Sequence, residues 1–508
     1  MKYRSESQAG RVCGHSVHDH DHVRVGRWPR LQAARAFALG LAVGGLGCGH
    51  DDAAEDDGAG SDATGADDGA AQDAGETSGS GDGDAMGDSE SGAEAARPNW
   101  YQDIEPLIAT HCRSCHDGSG LAFDMSDYET TRMWAEVMAM QTADRVMPPW
   151  HAVETDECTP PHGFQHDARL DDDEVDAFAA WADAGTPLGD ESLAPPPVAG
   201  TSSELPDPTV TPAMGSGVTI AADGPTLDFF HCLSFDPGNA EEVFIDGFQL
   251  VPGNDKVAHH GVFYVDTDAA SADWPGGVLQ DCGGGPGVGN ASMIGGWVPG
   301  SLPVQTPDDV GIRLPAGARI VVNMHYHADV LGPQSDDSTA LALRYSATVP
   351  PWVSEFRLVG APGAGAATSG EFVIPADTAG HEETLEWNVP DTLPPVRIWA
   401  VINHMHKVGV DMRTTIVSGA DETCLVQTPD WDYNWQRVYQ YDTPVDNAPL
   451  LSPGDALRVR CTYDNVVDNP GVAEALGELG LSETRDVVVG DGTLDEMCVA
   501  AIGWAVPS

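Results

Sequence analysis

Two histidines stand two positions apart in the stretch "VINHMHKVGV", at His404 and His406. The stretch is predicted to form a β-strand, in which residues two apart face the same way with their Cα atoms about 7 Å apart. The two imidazoles therefore share one target, which is the core, each other or a metal ion.

Three histidine clusters on strand-like segments indicate a metal centre, although one buried histidine in a strand is usually a core residue. Imidazole suits copper, zinc, nickel and iron, whereas a thioether selects copper. The segment "GTLDEMCVAAIGW" offers such a thioether in Met497, so the sequence favours copper. The clusters are His259 with His260, His325 with His327, and His404 with His406.

Two questions about these ligands stay open at this level. His259 and His260 would face opposite ways on a regular strand, so joint binding needs a β-bulge or the use of different ring nitrogens. His325 and His327 share a face, so either could be the ligand.

The segment "HCRSCHDGSG" carries a C-x-x-C-H motif at Cys112, Cys115 and His116. Two thiols at this spacing can add to the vinyl groups of a haem, and the adjacent histidine falls under the iron. The alternatives are a redox dithiol and half of a zinc site. A zinc site would need a second Cys/His pair, and Cys158 alone is near in sequence.

In the class I cytochromes c, which this part of the chain resembles, the second axial ligand of the haem is often a methionine. The segment "RVMPPWHA" offers Met147 for that role, in a loop that the following prolines stiffen. His151 is an alternative ligand. Histidine–methionine ligation gives an electron carrier without an open coordination position. Three other methionines lie in a helical-looking stretch and are interpreted as packing residues: Met133, Met138 and Met140.

Two predicted helices would position the haem motif. The first lies in "NWYQDIEPLIATHC" and the second in residues 170–190, where Val175, Phe178, Trp181 and Ala182 fall on one helical face. Beyond residue 215 the pattern changes to short apolar runs broken by Gly, Pro and Asp, which is typical of antiparallel β-sandwiches. Predicted strands lie in "EEVFIDGFQLVPG", "KVAHHGVFYVD", "ARIVVNMHYHAD", "STALALRYSATV", "PVRIWAVINHMHKVGVDMRTTIVS" and "DALRVRCTYDN".

The chain is strongly acidic, with 80 Asp and Glu against 24 Lys and Arg in 508 residues and a formal net charge of −56. Such a surface repels nucleic acids and anionic lipids, so neither is expected as a partner.

The N-terminal region predicts export. Four arginines between residues 24 and 35 precede an apolar run at 36–47 that is too short to span a bilayer, as in a secretory signal. Cys48 ends the sequence "GLGC" and resembles the lipidated cysteine of a bacterial lipoprotein, with plain cleavage nearby as the alternative. Residues 49–96 are acidic and lack Lys and Arg, which predicts a disordered tether. We expect a periplasmic, outer-membrane or cell-surface protein of a bacterium that meets the membrane only through a lipid anchor.

Residues 97–190 resemble a class I cytochrome c. Residues 216–508 resemble the copper type II, ascorbate-dependent monooxygenases, which include peptidylglycine α-hydroxylating and dopamine β-monooxygenases. The second likeness rests on "AHHGVF", "NMHYHAD", "NHMHKVG" and "DEMC". It implies two β-sandwich domains, each carrying one copper, that face each other across a solvent cleft.

The resemblance also assigns ligands and disulfides. It implies an electron-transfer copper on His259, His260 and His325, and an oxygen-binding copper on His404, His406 and Met497. The family's H-Y motif favours His325 over His327. The implied disulfides are Cys232–Cys282 and Cys461–Cys498, which leaves Cys158 and Cys424 to pair with each other across domains or to stay apart.

The expected fold is a small all-α cytochrome c domain followed by two antiparallel, jelly-roll-like β-sandwich domains. The expected divisions are a signal or lipoprotein segment (1–48), an acidic linker (49–96), a haem domain (97–190), a second linker (191–215) and two copper domains (216–347 and 348–508).

The expected function is an exported copper monooxygenase that hydroxylates an aliphatic C–H bond of a small organic substrate with O2. Its cofactors would be two copper ions and one covalently bound haem c, with electrons from an ascorbate-like reductant or from the fused cytochrome. Amidating members of the family grip a carboxylate where this chain has Ile402 and Val499, so a neutral or cationic, partly apolar substrate is expected. The alternative is a non-catalytic copper and haem electron-transfer protein of the cell envelope.

Overall fold

The computed structural model describes residues 97–508 except 119–121, 197–202, 224–225, 330–331, 362–371 and 493. The predicted signal segment, Cys48 and the acidic tether therefore lie outside the described residues. Within the described ranges no helix is long and apolar enough to cross a membrane.

The helices concentrate in residues 97–194. A π-helical turn at Trp100–Ile104 leads into the first α-helix, and short 3-10 turns occur in both the helical and the β-rich parts of the described chain. The α-helices are α1 (Glu105–His111), α2 (Tyr128–Thr131), α3 (Ala135–Ala143), α4 (Asp172–Asp183) and α5 (Pro470–Glu478). The 3-10 turns are Arg132–Trp134, Glu191–Leu193, Ala270–Asp273, Pro275–Gly277, Tyr433–Trp435 and Val445–Asn447.

Helix α4 begins where the sequence signals a helix start. Asp171 and Glu174 form a reciprocal capping box, and the acidic first turn suits the positive end of the helix dipole. The predicted apolar face is inward: Phe178 and Trp181 are fully buried, and Trp181 lies 6.0 Å from the ring of Trp100. The methionine interpretation was partly wrong. Met138 is buried, but Met133 and Met140 are exposed because they lie on the outer side of this helical segment.

The rest of the chain is β-rich, as predicted, and each predicted strand segment forms strands. Those before residue 348 are β1 (Val218–Ile220), β2 (Asp228–Phe235), β3 (Val243–Val251), β4 (Ala258–Asp266), β5 (Val278–Gln280), β6 (Ala291–Trp297), β7 (Val304–Gln305), β8 (Val310–Leu314), β9 (Arg319–His327), β10 (Gln334–Asp336) and β11 (Ala340–Tyr345).

The later strands are β12 (Trp352–Ala361), β13 (Val373–Ile374), β14 (Thr378–Asn388), β15 (Val396–His404), β16 (Gly409–Ser418), β17 (Asp421–Thr428), β18 (Tyr439–Gln440), β19 (Leu450–Leu451), β20 (Ala456–Asn465), β21 (Val487–Val488) and β22 (Cys498–Pro507). The predicted strand "PVRIWAVINHMHKVGVDMRTTIVS" is thus two strands, β15 and β16. Strand β15 ends at His404, so His406 lies two residues past the strand rather than on it.

One central sheet runs through both expected copper domains. Among the described residues it contains nine strands, with the order β11-β3-β8-β12-β22-β15-β18, while β7 pairs with β3 and β19 with β15. Strands β8 and β12 pair in parallel from Val310 with Trp352 to Ile312 with Ser354. The expected boundary at 347/348 therefore crosses a shared sheet, because these short parallel pairings join the two halves.

A smaller antiparallel sheet covers each end of the central sheet. The sheet β5-β2-β9-β4-β6 packs on the end formed by β11, β3 and β8, where Phe248 and Phe263 lie 5.0 Å apart. The sheet β14-β20-β16-β17 packs on the end formed by β12, β22 and β15. Each half consequently has its own apolar core between two sheets, which is the expected sandwich arrangement.

The expected linker at 191–215 is not free along its described part. Leu205 and Met214 are buried, and Val210 bridges to Leu343 on β11. These contacts form because apolar residues in the segment match the exposed edge of β11.

Within the part of the chain that the structure describes there are three disulfides: Cys232–Cys282, Cys461–Cys498 and Cys158–Cys424. The first two are the pairs that the resemblance implied. The third disulfide joins Cys158, in the helical region 97–194, to Cys424 on β17, over a sequence separation of 266 residues. Of the two alternatives for these cysteines, the structure therefore has them paired with each other.

Candidate metal centre

His259, His260 and His325 form one cluster on the adjacent strands β4 and β9. A bulge between Ala258 and His260 places the extra residue, His259, beside His260 instead of opposite it. The Nδ1 atom of His260 lies 3.1 Å from that of His259 and 3.4 Å from that of His325. For bonds of about 2.0 Å at tetrahedral angles, donor nitrogens lie about 3.3 Å apart. The three side chains can therefore hold one metal ion through Nδ1.

Neighbouring side chains fix the orientation of this cluster. Asp228 Oδ1 accepts from Nε2 of His325 at 2.9 Å, which turns Nδ1 toward the other histidines. Phe230 stacks on His325 at 4.5 Å, and Tyr433 stacks on His259 at 4.6 Å. Burial holds the pKa of His259 and of His260 well below the usual value, so both rings are neutral and can donate a lone pair.

His327 lies outside the cluster. Its Nδ1 donates to Asp228 Oδ1 at 3.0 Å, and this hydrogen bond raises its pKa. Its Nε2 lies 3.8 Å from Glu478. Of the two candidates on β9, the geometry thus brings His325 and not His327 to the metal-binding position.

His404 and His406 form a second cluster at the end of β15. Nδ1 of His404 donates to Gln436 Oε1 at 2.6 Å, and Nδ1 of His406 donates to the Asp495 carbonyl at 2.9 Å. Their ring centroids lie 5.2 Å apart. With both Nδ1 atoms engaged, Nε2 of each ring is left for a metal. Burial lowers the pKa of His404 and lowers that of His406 to about 3, so both rings are neutral.

Met497 lines the same cavity as His404 and His406. Its backbone N–H donates to Glu496, and its carbonyl accepts from the hydroxyl of Tyr463 at 2.8 Å. The next residue, Cys498, is fixed by its disulfide to Cys461. The thioether is therefore carried on a segment that is held at three consecutive points.

Glu496 was not anticipated from the sequence. Its fully buried carboxylate accepts from four backbone N–H groups, those of His406, Val408, Gly409 and Met497. Burial raises its pKa to about 7, while the four donors act in the opposite direction. This carboxylate joins the histidine turn to the methionine segment. Its sequence neighbourhood gives no clear signal, since Glu496 directly follows another acidic residue, Asp495.

Both clusters face one cavity of about 400 Å³. The rings of His260 and His404 lie 6.0 Å apart, centroid to centroid. The cavity wall is mostly apolar and includes Ile402 and Val499, which stand at the positions where amidating members of the family bind a carboxylate. The arrangement can hold two metal ions next to a space for a small, partly apolar molecule.

The C-x-x-C-H motif lines a second cavity, of about 460 Å³. Cys112, Cys115, His116 and Met147 all reach it, and so does Met138. Nδ1 of His116 donates a hydrogen bond to the Phe123 carbonyl at 2.8 Å. The lone pair of Nε2 is therefore free to bind a metal ion. His151 is not among the residues that line this cavity.

The two alternatives for this motif lose support. Burial raises the pKa of the Cys112 thiol to about 12, whereas a redox dithiol needs a lowered thiol pKa. Cys158, the one nearby cysteine that could have completed a zinc site, is bonded to Cys424. Cys112 and Cys115 are the free cysteines of the described chain.

Comparison with known proteins supports the interpretation of the second histidine cluster as part of a copper site. Residues 365–505 match the family "Copper type II ascorbate-dependent monooxygenase, C-terminal domain". His404, His406 and Met497 fall inside the matched segment. The match supports a copper-dependent monooxygenase, and so an oxidoreductase.

Solved structures add little. The major capsid protein P2 of bacteriophage PM2 is 10% identical, with a TM-score of 0.25 over 57% of this chain and 98% of that chain. An infectious bursal disease virus structure, Gt strain, is 11% identical, with a TM-score of 0.14 over 59% of this chain and 73% of that one. At these scores the likeness has no functional meaning. No curated protein matches the sequence significantly.

Proposed function

We propose that this chain is an exported copper monooxygenase that hydroxylates an aliphatic C–H bond of a small organic molecule. The observation that carries the proposal is the meeting of two histidine clusters and Met497 in one apolar cavity. The donors fit copper, since a thioether beside neutral imidazoles selects it over zinc. Copper bound there would supply electrons to O2. One oxygen atom would enter the C–H bond, and the other would be reduced to water by taking up two electrons and two protons.

The protein's own groups prepare this chemistry. Gln436, Asp228 and the Asp495 carbonyl turn the histidine rings so that their free nitrogens face the cavity. Glu496 holds the turn after His404 against the Met497 segment. Apolar walls exclude water and orient the hydrocarbon part of the substrate beside both clusters.

The substrate class follows from the cavity lining. Ile402 and Val499 offer no charge or hydrogen bond to a carboxylate, and the net charge of −56 repels anions. A neutral or cationic, partly apolar small molecule is the substrate that this lining favours.

The second cavity fits a covalently attached haem c. Cys112 and Cys115 would bind its vinyl groups, and His116 and Met147 would be its axial ligands. The shared lining of one cavity by these four residues and the free Nε2 of His116 support the proposal. The electrons for hydroxylation would come from an ascorbate-like reductant, directly or through this haem.

Export agrees with the three disulfides, since such bonds persist in oxidising compartments. We propose the periplasm or the cell surface as the location, with lipidated Cys48 as the anchor. Release of the protein from membranes by a Cys48→Ser change would test the anchor.

Metal analysis and one variant test the proposal. The purified protein should contain about two copper ions and one c-type haem, and it should consume O2 when substrate and ascorbate are present. Met497→Ile should abolish substrate-dependent O2 consumption, because it removes the sulfur ligand, yet retain the copper on His259, His260 and His325. Met293→Ile, at another methionine of the cavity wall, is the matched control and should keep most of the activity.

The opposite results are equally clear. Loss of both coppers in Met497→Ile would contradict the separate ligand sets. Full copper and haem content in the wild type, with no O2 consumption across a panel of neutral and cationic substrates, would favour the electron-carrier alternative.

A further inference from the structure

A three-residue segment, Trp435–Gln436–Arg437, separates the copper cavity from the haem cavity. Trp435 and Arg437 line the haem cavity, Gln436 lines the copper cavity, and Arg437 also reaches the copper cavity. The backbone at Gln436 is extended (φ −66°, ψ 148°), and neighbouring side chains along it line different cavities. The wall between the two cavities is therefore one chain thick.

A second segment closes the wall beside it. Ser301 lines the copper cavity and Leu302 the haem cavity. The Gly300 carbonyl lies 3.9 Å from Sγ of Cys115, so this loop touches the haem motif itself.

The separating segment is also bonded to the copper ligands. Gln436 Oε1 accepts from Nδ1 of His404, and the ring of His404 lies 6.0 Å from that of His260. Tyr433, two residues before Trp435, stacks on His259. Both histidine clusters are thus in contact with residues 433–437.

Arg437 lacks an anionic partner among the described residues, in a chain with more than three acids per base. Its Nε is buried without a hydrogen-bond acceptor, and its guanidinium lies 5.7 Å above the ring of Trp150. A buried donor on a cation is costly unless an anion satisfies it. The cavity that Arg437 lines is the one that fits haem, whose propionates are anions of suitable size.

We propose that Arg437 binds a haem propionate and that Trp435–Arg437 is the electron-transfer contact between haem and copper. The inference rests on the proposed function, because it takes both cofactors as bound. One electron leaves the reduced haem, which becomes ferric, and one cupric ion becomes cuprous, with no atom or proton transferred. An ascorbate-like one-electron donor reduces the haem again before the second transfer.

The test uses full-length, haem-loaded protein in three forms. These are the wild type, Arg437→Gln and the matched control Arg357→Gln, whose guanidinium likewise stacks on tryptophan, 4.9 Å above Trp387. The first readout is the haem reduction potential without copper. The second is the rate at which reduced haem is oxidised after anaerobic addition of cupric ion, followed by stopped-flow absorbance.

Arg437→Gln should make the haem harder to reduce, by roughly tenfold in the redox equilibrium constant, because a nearby positive charge is lost. That change alone would speed oxidation by copper. Loss of the electron-transfer contact should instead slow haem oxidation at least tenfold. The measured rate should therefore fall although the change in potential alone would raise it. Arg437→Lys should keep the potential near the wild-type value, and Arg357→Gln should match the wild type in both readouts.

Each other result has one meaning. An unchanged potential in Arg437→Gln would overturn the propionate assignment, and an unchanged or faster oxidation rate would overturn the electron-transfer contact. Equal haem content in all the proteins shows that the variants fold. If the variants differ from the wild type as expected, but the wild type with both cofactors bound consumes no O2, the monooxygenase proposal is refuted and the electron-transfer contact is retained.

Discussion

At the scale of single residues, each candidate copper-binding histidine of the second cluster depends on a partner remote in sequence. His404 depends on Gln436, and His406 depends on Asp495 and Glu496. Gln436 and the Asp495 carbonyl do not bind the metal, but they decide which ring nitrogen is available to it. Glu496 acts on the backbone instead, since its carboxylate accepts from four backbone N–H groups, one of which is that of His406.

Glu496→Gln should lower the free energy of unfolding by about 2–4 kcal/mol, because the amide nitrogen turns toward backbone donors that need an acceptor. Urea unfolding followed by tryptophan fluorescence measures the change. Glu483→Gln, at an exposed position, should shift the free energy by less than about 0.5 kcal/mol. A loss in Glu496→Gln no larger than in this control would show that the buried carboxylate does not stabilise the turn.

At the scale of elements, the helical region 97–194 is bound to the β-rich part of the chain by a disulfide, a hydrogen bond and ion pairs as well as by the linking segment. Cys158 is bonded to Cys424 on β17, and Thr155 donates to Gln427 on the same strand. Glu157 pairs with Arg413 and Arg460. These contacts fix the segment that follows the C-x-x-C-H motif to the sheet formed by β14, β20, β16 and β17.

Removing the third disulfide, with Cys158→Ser and Cys424→Ser together, should lower the free energy of unfolding by about 2–5 kcal/mol, because the open chain gains conformational freedom. Thermal and urea unfolding under non-reducing conditions measure this. Cys158→Ser alone should give nearly the same value, since either change breaks the bond. A midpoint equal to that of the wild type would mean that the surrounding ion pairs suffice.

At the scale of the whole molecule, the candidate copper ligands come from both halves of the chain and meet over a shared sheet. Strands β4 and β9 carry the first cluster, and β15 and the segment before β22 carry the second. Because the central sheet crosses from one half to the other, metal binding should stabilise the halves together.

Copper at 100 times its dissociation constant should raise the free energy of unfolding by about 2.7 kcal/mol per site. Calorimetry with and without copper should show one transition that moves upward. His259→Ala/His260→Ala/His325→Ala should lose one site's share, whereas His381→Ala, whose ring is bonded to Glu383 outside both clusters, should respond as the wild type does. Two transitions, of which copper moves one, would contradict a shared response.

The sequence by itself determined the local features of this protein. Short apolar runs broken by Gly, Pro and Asp located the β-strands, and the apolar face of residues 170–190 located α4. The types of the candidate ligands defined the donor chemistry: His259, His260, His325, His404, His406 and Met497. Such features depend on neighbours within a few residues, and the sequence contains those neighbours in order. The family likeness added the two disulfides at Cys232–Cys282 and Cys461–Cys498.

Only the tertiary structure decided which distant groups meet. It selected His325 over His327 through Asp228, joined Cys158 to Cys424, carried one sheet through both halves and placed Gln436 and Arg437 between two cavities. These outcomes depend on burial, strand register and hydrogen bonds between residues tens to hundreds of positions apart. No local pattern encodes such pairings, because each is favourable only once the rest of the chain has packed around it.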